Sequence, residues 1–225
     1  MKNLIKLFKF VFYNNLINTK SIPLGKINKI SKVKIIEAVD KAGGLTIQEL
    51  VSLLGICELY KTGKILEIGS FRGRTALNIL YNYPEVDLFT FDLPENVTNE
   101  KNLKYSLIES DKSQAFHEKK NELKNKYPDY FNKINFLEGD SATYDFTKFK
   151  NYFDIIIIDG SHKYENVIID TENSLKMIKK NGYIFWHDYS KDHIDVLKAI
   201  RKIKNKYKIK IERLKQTKFA FTKIK

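Results

Sequence analysis

The run "FDIIIID" at residues 153–159 places four consecutive isoleucines between two aspartates. β-Branched residues favour strands, and a strand without polar alternation is buried on both faces. Such a strand needs a covering layer on each side, which requires a sheet sandwiched between helices. The chain has 225 residues and is 43% hydrophobic with 15 phenylalanines. That is enough for one sizeable core and an extension, and it argues against disorder.

The runs around this strand follow the same plan. "KILEIG" (64–69), "DLFTFD" (87–92), "INFLEG" (134–139) and "GYIFWHD" (182–188) read as further parallel strands. Helical spacing in "RTALNILYNY", "ENVIIDTENSLKMIKK" and "DHIDVLKAIRKIKNKY" supplies helices between them, with Asn181-Gly182 as a helix stop. "YKIKIERL" and "KFAFTKIK" close the chain as an antiparallel hairpin. The expectation is a doubly wound, Rossmann-like α/β sheet of seven strands, five parallel and two in the hairpin. Residues 1–60 read as a helical extension and 61–225 as the main domain. Residues 94–132, a long polar connection, read as a crossover helix with added structure that caps the site.

Charge and cysteine content narrow the class. The net charge of +13 is carried largely by lysine. Residues 1–35 hold eight basic and no acidic groups, and residues 198–225 hold twelve basic and one acidic, so the middle of the chain is acidic. Charge alone therefore does not imply a nucleic-acid partner. Cys57, the single cysteine, excludes an intramolecular disulfide, reads as a buried apolar residue and fits a reducing, cytoplasmic setting. Lys6 and Lys9 interrupt the apolar start, so it does not read as a signal peptide, and no run is long enough to span a bilayer. The basic, amphipathic stretch from Leu4 to Phe12 suits peripheral contact with an anionic membrane, packing on the sheet or a homo-oligomer contact.

Ligands of open parallel sheets bind beyond the carboxyl ends of the strands, and here those ends are acidic or glycine-rich. "LEIGSFRGRT" puts Glu67 at a strand end, Gly69 in the turn and Gly73 where a helix begins. It lacks the three glycines of the dinucleotide fingerprint. Asp92 ends the second strand, where an acidic residue can accept hydrogen bonds from ribose.

Together with "EGDS" at 138–141 and the terminal hairpin, these residues resemble a class I S-adenosylmethionine-dependent methyltransferase over residues 60–225. The resemblance implies that Glu67, Gly69 and Ser70 line the methionine end of the cofactor, that Gly73 of the same motif is also cofactor-binding, that Asp92 holds the ribose, and that Asp140 and Ser141 lie beside the adenine. "IIIIDGSHKYE" followed by "NGYIFWHDY" is similar to the macrocin and sugar O-methyltransferase branch and, more distantly, to catechol O-methyltransferase. That similarity implies a divalent cation, magnesium, manganese or iron, held by Asp159, His187 and Asp188. His187 replaces the branch's carboxylate and shifts the preference from magnesium toward manganese or iron(II); alternatively it only orients Asp188. His162 then serves as the general base, with Asp159 beside the reacting hydroxyl.

The expected activity is O-methylation of a sugar or saccharide hydroxyl, with a small phenol or catechol as the alternative acceptor. A nucleic-acid methyltransferase and an inactive binding protein of the same fold rank lower. Tyr164, Glu165 and Asp170 read as helix-start and packing residues, Trp186 as core, and His117 and His193 as solvated helix positions.

Overall fold

The computed structural model describes residues 19–28, 32–38, 44–116 and 122–225. The amphipathic start and His117 lie outside them. Strand β1 (Ser21–Ile22) and helix α1 (Ile47–Cys57) precede the main run. Then follow β2 (Lys64–Ile68), α2 (Arg74–Asn82), β3 (Asp87–Asp92), three short helices α3 (Glu109–Phe116), α4 (Glu122–Lys126) and α5 (Pro128–Phe131), and β4 (Asn135–Glu138). The chain continues through β5 (Phe153–Ile158), α6 (Tyr164–Met177), β6 (Ile178–Trp186), α7 (Ile194–Tyr207), β7 (Glu212–Leu214) and β8 (Ala220–Lys223).

These strands form one sheet in the order β1-β7-β8-β6-β5-β2-β3-β4. The five expected parallel strands and the antiparallel β7–β8 pair are all present. β5 is central, and its isoleucines divide by parity. Ile155 and Ile157 pack with α1 and α2 residues such as Leu53 and Leu77 on one face. Ile156 and Ile158 pack with α6 and α7 residues such as Val167 and Leu197 on the other. Each fully buried aliphatic side chain contributes about 1.5–3 kcal/mol, so this strand anchors both layers.

Two expectations change. The sheet has eight strands, because Ser21 and Ile22 add a parallel edge to β7; two residues carry no readable periodicity. Among the described residues before position 60, α1 is the one α-helix; the expected helical extension over 1–60 lies in part outside the described residues. Finally, α6 stops at Met177, and Asn181-Gly182 lies inside β6, beside a register shift against β5. Asn181 has a φ of 66°, and a Cβ on Gly182 would come within 2.8 Å of the Asp154 carbonyl oxygen. The pair therefore shapes a bulged strand. The described residues of the 94–132 connection form three short helices and a single 3-10 turn (Glu100–Asn102).

Candidate active site

A cleft opens at the carboxyl ends of β2 through β6. Its wall contains Glu67, Gly69, Ser70, Asp92, Asp140, Ser141, Asp159, His162 and Asp188, so nine of the residues singled out by sequence meet in one place. Gly73 is behind the wall. It caps α2 with a φ of 77°, and a Cβ there would come within 2.7 Å of the Phe131 ring. His187 is also behind the wall and only 6% exposed.

Backbone conformation builds the first half of the cleft. Gly69 has a φ of +88°, and a Cβ on it would lie 2.3 Å from the Asp159 carbonyl oxygen. Only glycine fits where the β2 and β5 ends converge. Asp92 accepts from the Phe71 amide at 2.9 Å and from the Leu93 amide at 2.7 Å, which holds the glycine loop in place. Glu67 is 1% exposed, and its Oε2 has no hydrogen-bond partner among the described residues. Burial, and then the charges of Asp159 and Asp92, push its carboxyl well above the usual range. At the other end, Asp140 accepts from the amides of Lys104 (2.8 Å) and Ala142 (2.9 Å).

The second half is a cluster of carboxylates and imidazoles around Asp188. This residue has a φ of 52°, a left-handed conformation that is costly outside glycine and typical of functional sites. It turns the carboxylate toward four nitrogens: His162 Nε2 at 2.8 Å, His187 Nδ1 at 3.1 Å, Lys218 Nζ at 3.3 Å and His193 Nε2 at 3.5 Å. Burial alone would raise the Asp188 pKa, but the bonds to His162 and His187 overcome it and hold the carboxyl far below the ordinary range.

His162 bridges two acids. Asp111 on α3 accepts from Nδ1 at 2.7 Å and from the His162 amide at 2.8 Å, while Nε2 faces Asp188. Burial lowers the ring's pKa, but the two carboxylates outweigh it and raise it to about 10. His187 Nδ1 meets Asp159 at 2.9 Å, and its Nε2 lies 3.4 Å from Glu49 Oε2, an ion-pair distance without hydrogen-bond geometry. Burial again opposes protonation, and Asp159, Asp188 and Glu49 again prevail.

The ligand atoms of Asp159, His187 and Asp188 lie within 4.8 Å of one another, as do those of His162, Asp188 and His193. Two carboxylates and an imidazole converging on one point suit manganese or iron(II), with magnesium also accommodated. The expected triad therefore has the chemistry and the proximity of a cation site.

Sequence reading missed four members of the cluster. Asp111 sits in the polar connection, with nothing local to mark it. Glu49 is signalled by the spacing Thr46-x-x-Glu49, a capping box that the structure contains. Lys218 lies just before β8, and its amide donates to Glu49 at 2.8 Å. His193 is not a solvated helix position: its ring stacks on His162, with centroids 4.3 Å apart. Trp186 is core, as expected, and donates to Thr171 within it.

A family profile described as "Methyltransferase domain" matches residues 66–189. Among solved structures, the chain is similar to the O-methyltransferase NovP, with 13% identity over 95% of this chain and 98% of that one and a TM-score of 0.56. An O-methyltransferase from Bacillus cereus, solved in complex with SAH, is 13% identical over 82% and 84% of the two chains, with a TM-score of 0.54. A Staphylococcus aureus protein provisionally named a caffeoyl-CoA O-methyltransferase is 16% identical over 86% of each chain, with a TM-score of 0.52. At these identities the likeness is one of fold. No curated protein matches the chain.

Proposed function

This chain belongs to the methyltransferase-domain family, and from that membership we propose that it is an S-adenosylmethionine-dependent O-methyltransferase acting on a sugar or saccharide hydroxyl. The observation that carries the reading is the single cleft, with the glycine loop, Asp92 and Asp140 along one stretch and the Asp159–His187–Asp188–His162 cluster at its end. The first stretch suits an elongated cofactor with a ribose and a base; the cluster suits activation of a hydroxyl. The Bacillus cereus structure with SAH supports the cofactor assignment. Arg72, Asp111, Ser161 and Asn166 on the cleft wall are polar partners that saccharide hydroxyls would use, beside the apolar Leu103, Tyr105 and Leu107.

Asp159, His187 and Asp188 would hold a divalent cation, which would lower the pKa of the acceptor hydroxyl and fix its position. The protein's own groups manage the proton. Asp111 fixes the His162 ring through Nδ1 and leaves Nε2 as the working nitrogen. Between two carboxylates the ring is an imidazolium at neutral pH. It becomes a base when Asp188 turns to another partner, which leaves Asp111 as the ring's one acid. A reducing, cytoplasmic setting is part of the proposal: Cys57 is buried and its thiol is pushed far up by desolvation, so it is inert. No helix of the described residues is long and apolar enough to cross a membrane.

The test is methyl transfer from S-adenosylmethionine to a panel of sugar and phenol acceptors, with manganese, magnesium or chelator. Turnover on saccharides that stops in chelator supports the reading. His162→Ala should lower kcat by about 10²- to 10⁴-fold with cofactor affinity little changed. Turnover on phenols alone, or full activity of Asp188→Ala in chelator, overturns the corresponding half.

A further inference from the structure

His193 takes the N-cap position of α7, yet its side chain makes no capping bond. The ring lies against that of His162, and its Nε2 faces Asp188 Oδ1 at 3.5 Å. His162 Nε2 faces the other oxygen of the same carboxylate at 2.8 Å. Two imidazole nitrogens thus converge on one carboxylate, and the three ligand atoms lie within 4.8 Å of one another. Ligands about 2.0–2.1 Å from a tetrahedral ion stand roughly 3.3 Å apart, the scale of these separations.

This set differs in kind from Asp159, His187 and Asp188. It offers two nitrogens and one carboxylate where its neighbour offers one nitrogen and two carboxylates, which moves the preference toward zinc, a tighter binder than manganese or iron(II) at such sites. Its outer shell is already in place. Asp111 accepts from His162 Nδ1 at 2.7 Å, the carboxylate–imidazole arrangement that fixes the tautomer and leaves Nε2 to ligate. Charge also leaves room for a second cation: Glu49, Asp111, Asp159 and Asp188 each lie within 3.4 Å of an imidazole nitrogen of the cluster, four negative charges that two dications would balance. Lys218 Nζ, 3.3 Å from Asp188 Oδ1, shows where positive charge already settles, and its side chain is 43% exposed and has room to swing out.

We propose that His162, Asp188 and His193 form a second cation site, for zinc, with Asp188 shared between the two sites. With zinc bound, His162 Nε2 gives its lone pair to the ion and its proton to solvent, so the nitrogen assigned to remove the acceptor's proton is occupied. The site is therefore inhibitory. That consequence rests on the O-methyltransferase reading above; the binding rests on the geometry alone.

Titration of the full chain with zinc tests this, once metal-free and once loaded with manganese, with bound zinc followed by calorimetry and released manganese by electron paramagnetic resonance. Manganese-loaded wild type should bind one zinc, keep its manganese and lose turnover as the zinc binds. His193→Ala leaves Asp159, His162, His187 and Asp188 in place, so it should keep manganese affinity and basal turnover. It should bind this zinc more weakly by at least the roughly 10- to 100-fold that even an outer-shell partner is worth, and resist inhibition to the same degree. In metal-free protein, wild type should hold one more tight zinc than His193→Ala. Zinc that displaces manganese one for one from wild type, a result that needs no variant, overturns the proposal. So does equal zinc binding by the two proteins, inhibition of His193→Ala at the wild-type zinc concentration, or no zinc binding to wild type. If no acceptor is turned over, the methyltransferase reading fails, while the two zinc titrations still decide the site.

Discussion

Gly69 is the tightest point of the cleft, with its Cα packed against the backbone of Asp159 and Gly160. Gly69→Ala combines a left-handed alanine with overpacking against main chain that cannot yield, and should lose about 3 kcal/mol or more in urea unfolding. Asp170 makes a prediction of opposite kind. Its folded pKa is raised from 3.8 to about 7, so its contribution to stability is full below pH 4 and is lost as pH rises through 7. Relative to Asp170→Asn, the ligand-free wild type should therefore weaken between pH 4 and pH 7 by on the order of 3 kcal/mol and level off above that. A difference between the two proteins that stays flat with pH would contradict a buried, proton-linked Asp170. These two residues also mark how far sequence reaches. Gly69, Asp92, Asp159 and Asp188 were legible because each ends a strand, and strand ends converge by topology. Asp170 and Asp111 lie within helices, where only the packing of one element on another decides whether a carboxyl faces solvent or a cleft.

At the scale of elements, α1 ties the start of the chain to the site. Thr46 and Glu49 cap one another, while the Glu49 carboxylate also faces His187 and accepts from the Lys218 amide, linking helix, β6 end and terminal hairpin. Desolvation resists ionisation, but His187, Lys218 and Thr46 together hold the Glu49 pKa down to about 2. Glu49→Ala strands a buried imidazole and a buried amide and should cost about 3–5 kcal/mol, measured by denaturant unfolding. Glu49→Gln, which keeps the acceptor oxygen, should cost less. The junction of α6 and β6 shows why a helix limit was misread. The helix stop expected at Asn181-Gly182 follows the usual chemistry of those residues, yet a bulge needs the same backbone freedom. Local propensity cannot separate the two; the register of β6 against β5 does.

Over the whole molecule, hydrophobic runs defined the five parallel strands and the hairpin, because each is long enough to show its pattern. The two-residue β1 is not, and its pairing with β7 depends on a contact nearly 200 residues away in sequence. The sheet brings the acidic middle of the chain to one edge, so the cleft collects carboxylates from β2 to β6 together with Asp111. That concentration of negative charge beside buried imidazoles is the setting in which a cation, or protons on His162 and His187, must balance the site. Manganese should therefore raise the unfolding temperature of wild type more than that of Asp188→Asn, as a thermal melt at fixed pH would record.

The central claim is that the cleft is a methyl-donor site, and isothermal titration of the purified chain with S-adenosylmethionine, once with manganese and once in chelator, tests it most directly. Saturable one-site binding in both conditions is the predicted result, because the residues proposed to hold the cofactor, Glu67, Gly69, Asp92 and Asp140, are separate from the proposed metal ligands. A folded protein that binds no S-adenosylmethionine in either condition would contradict it.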